Sequence, residues 1–170
     1  TCRSRAPPCS PTTSAGACAT RSTRSAWAAS PSSSERITAP AAHALLADAR
    51  RVLCVGIGGG GDVAGALAAA GAAEALGTPA ELGGITWERR PIDPLPGPRR
   101  LDEVAGAERL GPAAALAGPG TIGPGGFHFA ESRMAAVLGR PVALIDPNDG
   151  PEAIAAGLAT AAARLDCDLL

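Results

Sequence analysis

Two kinds of apolar pattern alternate along residues 41–170: short runs that end near glycine, and longer alanine-rich stretches with apolar positions three and four apart. The first kind reads as buried strand and the second as helix, with length and β-branched content as arbiters. "AAHALLADA" (41–49) predicts a short helix and "RVLCVG" (51–56) a buried strand. Asp62 to Leu76 predicts a helix whose early aspartate suits capping and the helix dipole, and which Gly77 and Pro79 bring to an end. "AELGGITW" (80–87) predicts a second strand. The following "ERRPIDPLPGPRR" carries Pro91, Pro94, Pro96 and Pro98, a density that neither helix nor strand survives. Beyond it, "LDEVAGAERL" (101–110) predicts a short helix, "AAALA" (113–117) a third strand and "AESRMAAVLG" (130–139) a helix. "PVALID" (141–146) predicts a strand, Pro151 to Leu165 a helix with proline near its first position, and "CDLL" the start of another strand, cut off at Leu170.

Strands alternating with helices through short glycine-bearing loops predict βαβ units and an α/β fold. The expected architecture is a Rossmann-like three-layer fold with a parallel sheet and right-handed connections, incomplete because the chain is a fragment. That order gathers the polar loops beyond the strand ends at one edge of the sheet, where open α/β folds bind ligands.

Residues 1–40 break the pattern. They contain no Leu, no Val and one Ile, and show neither period. Such a stretch buries too little apolar surface to offset its ordering entropy, so a disordered tail is expected, with the N-terminal part of the α/β domain spanning 41–170. A basic partner-binding tail, a degenerate transit peptide, and a mis-called start or shifted frame are all compatible with this palette. An opening Thr in place of Met fits a fragment.

Composition narrows the function classes. Fifteen arginines without a lysine, 22 glycines and 16 prolines speak of a GC-rich gene and a core of Ala, Leu, Val and Ile. Residues 1–40 hold five Arg and one Glu, whereas residues 41–170 hold ten Arg against fifteen acids. So acidic a domain is a poor nucleic-acid binder, because neutralising phosphates takes a basic face. No apolar run reaches the roughly 18–20 residues that span a bilayer, and no signal-peptide core is present, so a cytoplasmic protein without membrane association is expected. Cys2, Cys9, Cys18, Cys54 and Cys167 form no CxxC pair, so no metal site or redox dithiol is expected, and Cys54 reads as a small core residue.

The candidate chemistry clusters at the ends of predicted strands. Gly56, Gly58 and Gly61 satisfy G-x-G-x-x-G between a strand and a helix, the context that motif requires. Without Cβ atoms, Gly58, Gly59, Gly60 and Gly61 let backbone N–H groups approach an anion at a helix N-terminus. Asp62 would repel a phosphate; it can hold a cation, bind a ligand hydroxyl or amine, or merely cap the helix. Glu88 lies 27 positions after Gly61, late for the ribose-binding acid of a nicotinamide site, which follows by about 20. Arg89 and Arg90 are bidentate donors for a phosphate, and Trp87 is expected in the core. His128, flanked by Phe127 and Phe129, is the candidate proton shuttle, with Glu131 and Arg133 close behind as ligand-binding residues. Asp146, Asn148 and Asp149 follow a strand directly and suit a ligand hydroxyl or a cation. Each has a plainer reading: a tight turn, an exposed charged loop, a structural histidine, an ordinary Asp-Pro turn. No HExxH, GxSxG or Walker lysine is present.

"VGIGGGGDV", "GGITWERRPIDPLPGPRRLDE", "GGFHFAESRMA" and "PVALIDPNDG" occur in that order, and together they resemble the domain of unknown function 1152 family of archaea and bacteria. The resemblance covers about residues 50–170. It implies that the segments picked out above belong to one recurring site, and that the chain is the N-terminal piece of a longer domain. It carries no settled activity. The expectation is a cytoplasmic α/β protein that binds a nucleotide or small phosphorylated metabolite through the glycine loop. As a metabolic enzyme it would use His128 and Asp62 for acid–base work; the alternatives are a non-catalytic ligand-binding or regulatory domain, or an inactive fragment. The sequence names no cofactor, no reaction and no oligomeric state.

Overall fold

The computed structural model describes residues 42–95 and 97–170, so the expectations for residues 1–40 lie outside the described residues. Helix α1 (Ala42–Asp48) leads into β1 (Val52–Val55), α2 (Gly60–Ala75) and β2 (Ala80–Ile85). After the proline-rich loop and a 3₁₀ turn (Leu101–Glu103) come β3 (Glu108–Arg109), β4 (Ala114–Ala117), α3 (Ala130–Leu138), β5 (Val142–Ile145) and α4 (Pro151–Arg164). The strands form one sheet in the order β1-β2-β5-β4-β3.

Alternation along the strands sorts side chains to two faces. On one face Leu53, Ile85, Ala143, Ile145, Ala114 and Leu116 pack against Ala161 and Ala162 of α4. On the other, Leu82 and Val142 pack against Val63 and Ala66 of α2 and Ala130 and Ala135 of α3. The result is the expected three-layer α/β arrangement, with a core built of small aliphatic side chains.

The centre of the sheet is parallel, as β1 with β2 and β2 with β5. Its far edge is not: β4 runs antiparallel to β5, and β3 antiparallel to β4. The reason lies in residues 101–110, where the sequence pattern predicts a helix. A parallel entry needs a crossover of a dozen or more residues, usually helical. Here the helical start ends after the 3₁₀ turn, and Gly106 takes φ +74°, where a Cβ would lie 2.8 Å from the Gly120 carbonyl oxygen. The chain stays extended, Ala105 bridges Ile122, and Glu108–Arg109 turn back as a hairpin onto Leu116 and Ala115. At the opposite edge, Leu169 bridges Val52 in parallel, and its carbonyl accepts the Leu53 N–H at 2.9 Å. Asp168 anchors this segment by accepting the backbone N–H groups of Arg50 (3.0 Å) and Arg51 (3.1 Å).

Among the described residues, no helix is long and apolar enough to cross a membrane.

Candidate functional site

The glycine run does two jobs in the backbone before any ligand is considered. Helix α2 begins at Gly60, two residues earlier than the sequence pattern predicts, which puts Asp62 in its first turn. Gly56 lets β1 run directly beneath that turn: a Cβ there would lie 2.7 Å from the Asp62 carbonyl carbon and 2.8 Å from the Val63 nitrogen. At Gly58 a Cβ would fall 1.9 Å from Asp62 Oδ2, so the aspartate carboxylate folds back over the space that this glycine leaves. Gly59 abuts the next loop, with its Cβ position 3.2 Å from the Arg89 nitrogen. Gly61 meets nothing within 4 Å. In the first turn of α2 the Asp62 N–H donates to the Gly59 carbonyl at 2.8 Å, and this end of the helix carries the positive end of its dipole.

Opposite stands the proline-rich loop, tied into a fixed shape by polar contacts inside it. Its base is clamped twice: the Arg99 N–H donates to the Thr86 carbonyl at 2.7 Å, and the Thr86 hydroxyl donates to the Arg99 carbonyl. Inside the loop the buried Arg99 guanidinium meets the buried Asp93 carboxylate at 2.6 Å, whose other oxygen accepts the Leu95 N–H at 3.0 Å. This loop carries Trp87, Glu88, Arg89, Arg90, Leu95 and Gly97 to the glycine run.

Between the two lies a cavity of about 590 Å³, within the range of small-molecule sites. Ile57, Gly58, Gly59 and Asp62 line one side, and the six loop residues line the other. Of the residues singled out in the sequence, the structure therefore brings Gly58, Gly59, Asp62, Glu88, Arg89 and Arg90 together around this cavity, with Gly60 and Gly61 in the adjoining helical turn. Trp87 is a correction: it stands 43 % exposed at the cavity, not in the core. Ile57 and Leu95, also exposed, join it as apolar lining that the sequence reading missed. An apolar residue between glycines, and another between prolines, have no period to explain them; that was the available signal.

Glu88 is buried, and its Oε1 accepts Arg133 Nη2 at 2.8 Å. Arg133 reaches it from the first turns of α3. Glu131, two residues earlier, is also fully buried, yet neither of its carboxyl oxygens has a hydrogen-bond partner among the described residues. It fits because Gly84 has no side chain: a Cβ there would lie 1.8 Å from Glu131 Oε1. Burial pushes the Glu131 carboxyl up to about 8; Glu88 adds to the rise, while its own backbone amide and Arg133 oppose it.

The remaining candidates lie apart from the lining residues. His128 is exposed and forms a backbone bridge with Ile122. Asp146 is buried and spent on structure, accepting the Leu101 N–H (2.8 Å) and both the backbone N–H (2.9 Å) and side-chain amide (2.7 Å) of Asn148. It thereby fastens the exit of the proline-rich loop to the end of β5. Among the described residues, no group of three His, Cys, Asp or Glu side chains is gathered closely enough to hold a metal ion.

Fold and site together define an α/β domain with a cavity between its glycine run and the loop that follows β2. The chain belongs to the family described as Protein of unknown function (DUF1152), whose profile matches residues 53–170. No curated protein and no solved structure matches it.

Proposed function

We propose that the cavity binds a nucleotide or small phosphorylated metabolite, with the phosphate on the N-terminus of α2 and a planar group against Trp87. The observation that carries this reading is the cavity itself, which sets the glycine run and the first turn of α2 across from an exposed tryptophan and two exposed arginines. Helix N-terminal amides and arginine forks both favour phosphate oxygens. Trp87, Ile57 and Leu95 supply an apolar surface for a ring, a use that explains why three large apolar side chains stay exposed in one place. Asp62 and Glu88 are the acceptors for ligand hydroxyls. In this reading Asp62, which is exposed, swings off Gly58 as the anion arrives.

A non-catalytic binding role is the second reading, favoured by the position of His128 away from the cavity lining. Asp62→Asn separates the two: as an acid–base residue it abolishes turnover with binding retained, and as a mere contact it weakens binding alone. The first test is a thermal-shift and calorimetric panel of nucleoside mono-, di- and triphosphates and sugar phosphates on the full chain. A shift that Arg89→Ala reduces supports the reading. No response to any phosphorylated compound at millimolar concentration overturns it.

A further inference from the structure

Buried carboxylates in this domain have partners: Glu81 holds Arg51 at 2.6 Å and Arg140 at 2.5 Å, and Asp93 holds Arg99 at 2.6 Å. Among the described residues the Glu131 carboxyl has no hydrogen-bond partner, and its position is specific. It stands in the first turn of α3, over the bare backbone of Gly84, while Ala130 beside it adjoins Gly60 at the start of α2. The charged groups acting on it are Glu88, from the loop after β2, and Arg133, from its own helix. Glu88 is at once the neighbour of Glu131 and a lining residue of the cavity. Two buried carboxyls therefore share one guanidinium. Arg133 balances a single negative charge, and its 2.8 Å contact is to Glu88, so the second carboxyl keeps its proton.

We infer that Glu131 is a proton-holding positioning residue of the cavity, which sets the net charge behind its Glu88 wall and so makes the site's preference for anions depend on protonation. Resting on the phosphate-binding reading above, this deepens it: the ligand is a dianionic phosphorylated compound, accepted while Glu131 is in its acid form and disfavoured once Glu131 ionises. The proton balance is simple. Ionisation releases one proton to solvent and leaves two carboxylates beside one guanidinium; binding the dianion draws that proton back. The carboxyl ionises near 8, so the switch falls just above neutral pH.

The decisive measurement needs no ligand. In the full chain, the ¹³C shift of the Glu131 carboxyl, identified by its loss in Glu131→Gln, is followed from pH 5 to pH 10. A midpoint well above the ordinary carboxylate range that moves higher still in Arg133→Gln supports the inference, because removing the guanidinium takes away a group that favours ionisation. A midpoint in the ordinary range, or one indifferent to Arg133, overturns it. Adenosine 5′-monophosphate then reads the coupling between pH 7.5 and pH 9, where its phosphate stays dianionic. Affinity falls about threefold to tenfold in the natural chain and stays flat in Glu131→Gln; equal slopes overturn the inference. If neither this nucleotide nor any other compound of the phosphorylated panel binds at any pH, the phosphate-binding reading is at fault, and the carboxyl titration still decides the role of Glu131.

Discussion

Replacing Glu131 with Gln gives a perturbation whose sign and size follow from one buried group. The folded chain holds the Glu131 carboxyl at about 8, against the ordinary 4.5 of an unfolded glutamate. As pH rises past 4.5 the unfolded chain gives up this proton and the folded chain keeps it, so stability falls with pH throughout that interval and levels off above about 8. At about 1.4 kcal/mol per pH unit, the interval corresponds to roughly 5 kcal/mol, comparable with the whole stability of a small domain. The group's stabilising contribution is complete below pH 4.5 and gone above about 8. Glutamine has nearly the same shape and does not titrate. The assay is urea unfolding of both chains at matched pH values from 4.5 to 8.5, with the stability difference as the readout, so that every other titrating group cancels. The difference should move by several kcal/mol in favour of Glu131→Gln as pH rises. A difference constant across that range would refute the reasoning and mean that water or a rearranged Arg133 reaches the carboxyl.

Three further substitutions probe the frame around the cavity. Gly56→Ala pushes a methyl group into the backbone of the first turn of α2, 2.7 Å from its nearest atom, and should cost about 1–3 kcal/mol in urea unfolding. Gly61→Ala meets nothing within 4 Å and removes a poor helix former, so unfolding should show unchanged or slightly higher stability, by up to about 1 kcal/mol. Asp93→Ala removes the nearer of the two carboxylates that Arg99 meets, with Glu103 still 3.8 Å from its guanidinium, and should cost about 1–3 kcal/mol, with a change in Trp87 fluorescence as the loop loosens.

Much of this architecture is legible along the chain. The strand–helix alternation from β1 to α4 follows from apolar period and from glycine and proline placement, and the glycine run falls between β1 and α2 as the pattern places it. What escapes the pattern is set by contacts distant in sequence. "LDEVAGAERL" has the composition of a helix, but the tight approach of Gly106 to Gly120 keeps it extended, and strand direction follows from that. Trp87 reads as core because large aromatic residues generally are; here the clamp between Thr86 and Arg99 carries it outward. Asp146 follows a strand as ligand-binding acids do, yet the Leu101 amide occupies it. Glu131 looks like an ordinary acidic residue in a first helical turn. Only the missing side chain at Gly84, 47 positions earlier on the sheet, reveals that it is buried.

That missing side chain makes positions 84 and 131 a single packing unit. A mutation giving residue 84 any Cβ collides with the Glu131 carboxyl before it meets anything else, and shortening residue 131 leaves a hollow over bare sheet backbone. Filling the sheet at 84 therefore displaces the buried acid at 131 first, and with it the proton behind the cavity wall.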